Sequence, residues 1–333
     1  MSIAEERRVA VEAVVRASRL CRAVQSTLVA GSTLAKGDRS PVTVADFGAQ
    51  AVVSKLLSDA FPDTPMVGEE DADALREPEN AALKAKVLAG VASIDPGLSE
   101  EAVLAAIDRG TYAGGATGRF WCLDPIDGTK GFLRLDQYAV ALGLIQDGEV
   151  IAGVLGCPNM LHSPASLAEP SSDSRGCIFI AVKGEGCFMR TLDDPTEVRV
   201  RVSDISDVSK ARFCESVEKA HTSQSDSAKI ADRLGITEAP FRIDSQCKYA
   251  AVARADASIY LRMPTRKDYV ERIWDHAAGV AVITEAGGKV TDIYGNDLDF
   301  SQGRGLEKNK GVVVTNGALH APVLAAVQAV LGI

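Results

Sequence analysis

Apolar residues recur at helical spacing over the first thirty positions of the chain. The recurring positions are Val11, Val14, Val15, Cys21, Val24 and Leu28. This period of three to four residues predicts one long helix over 3–30. Residues 36–41 are polar and predict a loop. Thr43, with Asp46 three residues further on, matches the start of a second helix, which Pro62 would end near Phe61.

The middle of the chain has the short apolar runs of β-strands. Residues 66–68 predict a short strand that leads to Glu69 and Glu70, and residues 71–118 predict helices and loops. Further strands are predicted at 120–123, 138–145, 150–155, 178–182, 187–190 and 198–202. Asp147-Gly148 between two of them is a strong hairpin signal.

After residue 203 the pattern alternates between helix and strand. Asp275 is predicted to cap an alanine-rich helix that ends at Gly287, and residues 318–331 predict a closing helix. The chain therefore divides into an α+β lobe, 1–202, and an α/β lobe, 203–333. A ligand crevice between two such lobes is a common arrangement.

Charge and composition exclude several classes of protein. The 333 residues carry Lys+Arg 36 against Asp+Glu 45, a formal charge of −9, so a broad nucleic-acid surface is not expected. No run approaches the eighteen apolar residues of a membrane span. Five arginines in the first helix faintly resemble an organellar transit peptide, but its glutamates favour a structural helix and a cytoplasmic protein.

Seven scattered cysteines form no C-x-x-C pair, which indicates a reducing compartment and no zinc site. Inert buried thiols are the simplest interpretation. Cys177 and Cys187 flank a predicted hairpin and could alternatively meet across it.

The strongest local signal follows the strand at 120–123. It is the run Asp124-Pro125-Ile126-Asp127-Gly128-Thr129. Proline between two acids predicts a turn that aims both carboxylates at one point and frees the Ile126 carbonyl to join them. Gly128 and Thr129 then offer backbone N–H groups at a helix start, where a phosphate anion can bind. Oxygen ligands of this kind suit Mg²⁺.

Such a turn alone is a common surface feature. Glu69 and Glu70 after a short strand, Asp46 in a helix start and Asp275 after Trp274 each have an equally simple structural explanation. Their occurrence together, in this order, favours a shared acidic site.

These segments resemble the lithium-sensitive, magnesium-dependent phosphatases typified by inositol monophosphatase. The motifs are Thr43-Val44-Ala45-Asp46, Val67-Gly68-Glu69-Glu70, Asp124 to Thr129, and Trp274-Asp275-His276-Ala277-Ala278-Gly279. Within that superfamily, the runs Lys130 to Arg134, Asp244 to Tyr249 and Ile259 to Arg262 are similar to the 3′(2′),5′-bisphosphate nucleotidases. Leu135 departs from that branch, where many members have glycine, and the departure bears on the shape of the loop.

The resemblance implies an α/β layered sandwich, αβαβα, and a set of roles. Glu69, Asp124, Asp127, Asp275 and the Ile126 carbonyl would bind two or three Mg²⁺ ions. Asp46 with Thr129 would activate the attacking water, and Glu70 would support them through waters. The resemblance also implies contacts with a nucleotide by Gly128, Thr129, Asp275, Ser245, Lys248, Arg262 and His221.

The activity implied is removal of the 3′-phosphate of adenosine 3′,5′-bisphosphate, with action on 3′-phosphoadenylyl sulfate and inhibition by Li⁺. Lys248 and Arg262 would supply cations for the second phosphate, at a distance from the metals. Three alternatives stay open at this point: an inositol (poly)phosphate phosphatase, a nucleotide-binding protein without turnover, and a 3′-phosphatase of nucleic-acid ends. The acidic surface argues against the last of these.

Overall fold

The computed structural model of the protein describes residues 2–30, 40–163, 175–217, 224–264, 266 and 269–333. Its helices are α1 (Ile3–Ala30), α2 (Ser40–Ala60), α3 (Asp73–Arg76), α4 (Ala81–Ala92), α5 (Glu100–Asp108), α6 (Thr129–Leu133), α7 (Gln224–Leu234), α8 (Cys247–Ala253), α9 (Ala277–Glu285) and α10 (His320–Leu331). Its strands are β1 (Met66–Gly68), β2 (Arg119–Asp127), β3 (Ala139–Gln146), β4 (Glu149–Leu161), β5 (Arg175–Val182), β6 (Gly186–Thr191), β7 (Val198–Val200), β8 (Phe213–Glu215), β9 (Phe241–Arg242), β10 (Ile259–Arg262), β11 (Lys289–Thr291) and β12 (Val312–Thr315).

The strands form two sheets. The first has seven strands in chain order, β1 to β7, and is antiparallel except where β1 runs parallel to β2. The second has five strands in the order β11-β12-β10-β8-β9. The predicted hairpin joins β3 to β4, and both Asp147 and Gly148 have the positive φ, 52° and 78°, that a two-residue turn requires. The division into lobes at residue 202 stays a prediction.

Helices and sheets alternate in five layers. Helices α1 and α2 pack on one face of the first sheet, α8 and α9 lie between the two sheets, and α7 and α10 cover the outer face of the second. Strand β12 illustrates the layering, because Val312 and Val314 join the core around α8 and α9 whereas Val313 joins the core under α10. The expected αβαβα sandwich is therefore the observed fold.

Small residues allow α9 to lie unusually close to the first sheet. A Cβ atom added at Gly143 of β3 would stand 2.9 Å from the Ala277 methyl group, and one at Gly153 of β4 would stand 2.7 Å from the Ala278 carbonyl oxygen. Both contacts are shorter than packed atoms tolerate. The approach brings the residues that precede α9 to the end of β2.

Two sequence-based element boundaries are wrong. Helix α2 begins at Ser40 and not at Thr43, because Pro41 fits the first turn of a helix, where its missing N–H costs no hydrogen bond. Asp46 consequently lies inside the helix, and residues 36–39 of the predicted loop lie outside the described residues. Asp275 does not cap α9, since it ends a short 3₁₀ turn, Ile273–Asp275, two residues before that helix begins.

The seven cysteines are all buried and unpaired. The alternative pairing of Cys177 with Cys187 is wrong, because Cys177 lies opposite Thr191 across β5 and β6 whereas Cys187 lies opposite Ala181. Among the described residues, no helix is long and apolar enough to cross a bilayer.

Leu135 has a left-handed backbone, with φ 63°, and its side chain is 40% exposed. Leu135→Gly is expected to raise the free energy of unfolding by about 0.5 to 1 kcal/mol. Relief of the left-handed conformation is worth about 1–2 kcal/mol, and the greater unfolded-state entropy of glycine removes part of that gain. Urea denaturation measures the change.

The matched control is Leu104→Gly, which places glycine inside α5 and should lower stability. A loss of stability in Leu135→Gly as well would show that the loop is not strained at this position.

Candidate active site

The end of β2 places two acids on the same face of the sheet. Asp124 lies opposite Ala141 of β3 and Asp127 lies opposite Ala139, so three residues of β2 match two of β3. Side chains three apart on a regular strand point to opposite faces, and the extra residue of this bulge returns Asp127 to the side of Asp124. The sequence predicted a turn here, whereas the strand continues through an irregularity at Pro125, which has no N–H to lose.

Gly128 follows the bulge in the left-handed region, with φ 95°. A Cβ atom at this position would lie 2.8 Å from Cβ of Ser245, so the close approach of the two segments requires glycine. Ser245 is itself left-handed, with φ 63°. Backbone strain of this kind is typical of ligand-binding positions.

Gln246 links the two acidic segments, and sequence reasoning missed it. Its backbone N–H donates to Asp127 Oδ2 at 2.6 Å, and its side-chain amide donates to the Trp274 carbonyl at 2.9 Å. Its Oε1 also accepts from Gly279 N–H at 3.1 Å. One buried glutamine therefore fixes the end of β2 against the turn that carries Asp275.

Two side chains hold the end of β1, which carries Glu69. Gln50 of α2 accepts from Glu70 N–H at 3.1 Å and donates to the Glu70 carbonyl at 2.6 Å. From 236 positions away, Arg304 donates to the Gly68 carbonyl at 2.6 Å, and its guanidinium lies 4.8 Å from the centre of the Trp274 ring. Neither residue stands in a recognisable motif.

These segments enclose a cleft of about 360 Å³. Its lining contains ten of the residues predicted for metal or substrate: Glu69, Asp124, Ile126, Asp127, Gly128, Thr129, Ser245, Lys248, Arg262 and Asp275. Asp46 and Glu70 are not part of that lining, but both lie near Glu69. The charge of Glu70 raises the pKa of Glu69, and the charges of Glu70 and Glu69 raise the pKa of Asp46. His221 lies outside the described residues.

Burial and mutual repulsion dominate the electrostatics of the cleft. Burial, followed by the charges of Glu70, Asp275 and Asp127, raises the pKa of Glu69 from 4.5 to about 8. Burial and the neighbouring carboxylates also raise the pKa of Asp124 well above its ordinary value. The pKa of Asp46 is raised by burial and by Glu70 and Glu69. Such shifts arise where like charges share a site without a cation.

The side chains present fit a hard divalent cation. All the ligand atoms offered are oxygens, which Mg²⁺ prefers. Asp124 is 2% exposed, and its Oδ1 has no hydrogen-bond partner in the part of the chain that the structure describes. A buried carboxylate oxygen without a partner is costly unless a ligand completes it.

Lys248 brings a buried positive charge to the same cleft. Its side chain is on α8, the residue is 5% exposed, and its Nζ lies 5.1 Å from the centre of the Tyr260 ring. Burial lowers the pKa of its ammonium group, and the charge of Asp127 partly opposes that effect. Within the described residues it has no carboxylate partner at ion-pair distance.

Arg262 is placed differently from the prediction. Its Nη2 lies 2.7 Å from Glu271 Oε2 and 3.3 Å from Asp275 Oδ2. This cation therefore contacts Asp275, a predicted metal ligand, whereas the prediction placed it at a distance from the metals. Glu271, a buried acid that sequence reasoning did not single out, makes the shorter of its two contacts.

A second group of possible metal ligands already faces a cation. Ligand atoms of Glu271, Asp275 and His276 lie within 4.8 Å of one another. The Arg262 guanidinium already pairs with both carboxylates. Burial opposes the charge on Glu271, yet the hydrogen bond from His276 and the nearby guanidinium lower its pKa to about 2. A divalent cation among these three would meet a fixed positive charge.

Comparisons with known proteins found matches over nearly the whole chain. A profile of the inositol monophosphatase family matches residues 3–331. The chain is 45% identical to a 3′(2′),5′-bisphosphate nucleotidase of Emericella nidulans, covering 99% of both chains. It is 46% identical to one of Oryza sativa, over 98% of this chain and 94% of that protein.

The fold has solved counterparts. An inositol monophosphatase from Anabaena (Nostoc) sp. PCC 7120 superposes with a TM-score of 0.62 at 20% identity, covering 99% of this chain and 97% of that one. At this identity the likeness concerns the fold alone. The family profile and the identities over nearly the whole length go further, and they show that the chain belongs to the inositol monophosphatase family.

Proposed function

We propose that the protein hydrolyses the 3′-phosphate of adenosine 3′,5′-bisphosphate and releases AMP and inorganic phosphate. Relatives that carry the name 3′(2′),5′-bisphosphate nucleotidase, 45% and 46% identical over nearly the whole chain, support this substrate. The observation that carries it is Lys248, a buried ammonium group without a carboxylate partner among the described residues, in a cleft otherwise rich in acids. Of the inositol (poly)phosphate phosphatases that form the alternative, one specific for a monophosphate has less need of a cation for a second phosphate.

Glu69, Asp124, Asp127, Asp275 and the Ile126 carbonyl would hold two or three Mg²⁺ ions. When bound, such ions lower the pKa of a water molecule and offset charge on the phosphoryl oxygens. The carboxylates contribute negative charge and fixed positions. A bound cation would also satisfy Asp124 Oδ1, which is buried and has no hydrogen-bond partner among the described residues.

Asp46 would accept the proton of the attacking water, with the Thr129 hydroxyl orienting it and Glu70 acting through further waters. The raised pKa of Asp46 makes it a better proton acceptor than an exposed aspartate. Water oxygen bonds to phosphorus as the bond from phosphorus to the ribose 3′-oxygen breaks, and that oxygen takes up a proton. Positioning contributes more than covalent help in such displacements.

The second phosphate and the ribose would contact Ser245, Lys248, Arg262 and the Gly128 segment. Asp275, itself a proposed metal ligand, lies 3.3 Å from Arg262, so the two proposed sets of residues adjoin. His221 belongs to the same proposed set, although its position lies outside the described residues.

Substrate preference tests the proposal directly. In Mg²⁺, the kcat/KM for adenosine 3′,5′-bisphosphate should exceed that for inositol 1-phosphate. Lys248→Met should lower the former by roughly 30-fold or more, because truncating one partner of a buried charge pair costs about 2–5 kcal/mol. The same variant should raise the melting temperature of the ligand-free protein, since a buried ammonium without a counter-ion is costly.

Lys229→Met, which removes an exposed lysine of α7, is the matched control and should change neither quantity. A higher kcat/KM for inositol 1-phosphate in the wild type would contradict the proposed substrate and favour the alternative. We extend the proposal to hydrolysis of 3′-phosphoadenylyl sulfate and to inhibition by Li⁺. Phosphate release from that nucleotide tests the first, and phosphate release in the presence of LiCl tests the second.

Asp46→Asn should keep nucleotide affinity and lose turnover. The loss in kcat is expected to be roughly 100-fold or more, the usual contribution of a positioned general base. Single-turnover kinetics and a fluorescence titration with the nucleotide separate the two quantities. Asp59→Asn is the control, because Asp59 lies on the same helix, exposed and paired with Lys55 at 2.5 Å. Undiminished turnover in Asp46→Asn would remove this residue from the mechanism.

Stability of the metal-free protein should fall as pH rises between about 4.5 and 8. In this window the folded protein keeps a proton on Glu69 that the unfolded chain has already released, so raising the pH favours unfolding. Saturating Mg²⁺ should reverse the trend. Urea midpoints with EDTA and with MgCl₂ across the window measure it, and Glu69→Gln should flatten the metal-free slope. An equal slope in that variant would assign the effect to other groups.

A further inference from the structure

A single guanidinium is shared unevenly by two carboxylates at the base of the cleft. Arg262 Nη2 lies 2.7 Å from Glu271 Oε2 but 3.3 Å from Asp275 Oδ2. All three side chains are largely buried, with exposed fractions of 19%, 7% and 18% respectively. Water screens such charges little, so the shorter pair takes the larger part of the attraction.

Several contacts other than Arg262 hold Glu271 in place. As a carboxylate it can only accept, so His276 Nε2, at 3.3 Å, donates to it, and Nδ1 is left to accept from the Tyr249 hydroxyl at 2.7 Å. The Tyr249 ring is itself fixed by close packing against Gly279, since a Cβ atom added to that glycine would stand 2.5 Å from the ring. The backbone carbonyl of Glu271 accepts from Leu306 N–H at 2.8 Å. The acid therefore determines where the guanidinium lies.

Asp275 has two potential cationic partners under the proposed function. One is the Mg²⁺ it would share with Glu69, Asp124 and Asp127, and the other is Arg262. Without the negative charge of Glu271, Asp275 would be the nearest remaining carboxylate to the guanidinium. The guanidinium would then compete with the metal for the same oxygens.

We infer that Glu271 is a positioning residue that takes the larger share of the Arg262 guanidinium, so that Asp275 stays available to a divalent cation. This inference rests on the proposed metal site. Glu271 binds neither metal nor substrate in this arrangement, and it acts through Arg262.

A double-mutant cycle on the full-length chain tests the inference, with Mg²⁺ binding measured by isothermal titration calorimetry. Glu271→Gln should weaken Mg²⁺ binding roughly tenfold, the lower end of what residues behind a metal ligand contribute. Arg262→Gln should bind Mg²⁺ at least as tightly as the wild type. In the Arg262→Gln background, Glu271→Gln should have little further effect, because the competing cation is gone.

Glu285→Gln is the matched control. Glu285 lies at the end of α9 and accepts from Gly184 and Gly186 N–H groups at 2.9 and 2.8 Å, so its loss affects a structural contact away from Arg262. Its Mg²⁺ affinity should equal that of the wild type.

Each result decides the matter. Equal weakening by Glu271→Gln in both backgrounds, or no weakening in either, would overturn the inference while leaving the metal site intact. Absence of Mg²⁺ binding by the wild type would instead overturn the proposed metal site itself. If Glu271→Gln does not fold, as judged by circular dichroism, Arg262→Gln alone still decides, since weaker Mg²⁺ binding in that variant would contradict the competition.

Discussion

Repulsion among carboxyl groups that share one cleft is the constraint around which this protein is organised. Glu69, Asp124, Asp127 and Asp275 line one cleft, and Asp46 lies close enough to share their field. Gathering like charges in one cleft is unfavourable, most of all for Asp124 and Asp46, which are buried. The fold therefore has to hold the segments that carry them against their tendency to separate.

The restraints on the acidic segments come from distant parts of the chain. Gln50 and Arg304 bind the backbone at the end of β1, and Gln246 joins Asp127 to the turn before α9. Most of these contacts are made to backbone atoms, so they fix the position of the acids without neutralising them. A site prepared in this way leaves its carboxyl groups available to a cation, which agrees with the proposed metal-dependent hydrolysis.

The layering supplies the larger part of the geometry. Glycines on β3 and β4 let α9 settle closely on the first sheet, so that Asp275, just before that helix, reaches the end of β2. On the opposite side α8 carries Lys248 from the layer between the sheets into the same cleft. The acids and the lysine thus approach from different elements, and a bisphosphate would lie between them.

The sequence by itself determined the elements, the family and the identity of the acids. Helical and alternating periods depend on neighbouring residues, so α1, β1, the β3–β4 hairpin and α10 were predictable from local pattern. The run from Asp124 to Thr129 was recognisable for the same reason, since its chemistry lies within six consecutive residues.

Only the tertiary structure decided how those residues face one another. The bulge that turns Asp127 back towards Asp124 depends on pairing with β3, and the pairing of Arg262 with Glu271 joins residues on different elements. Gln50 and Arg304 have no local signature, and the motif that contains Gln246 did not reveal its role, because these roles arise from contacts with segments far along the chain. Local periodicity carries no information about such contacts, and burial in a shared core is what creates them.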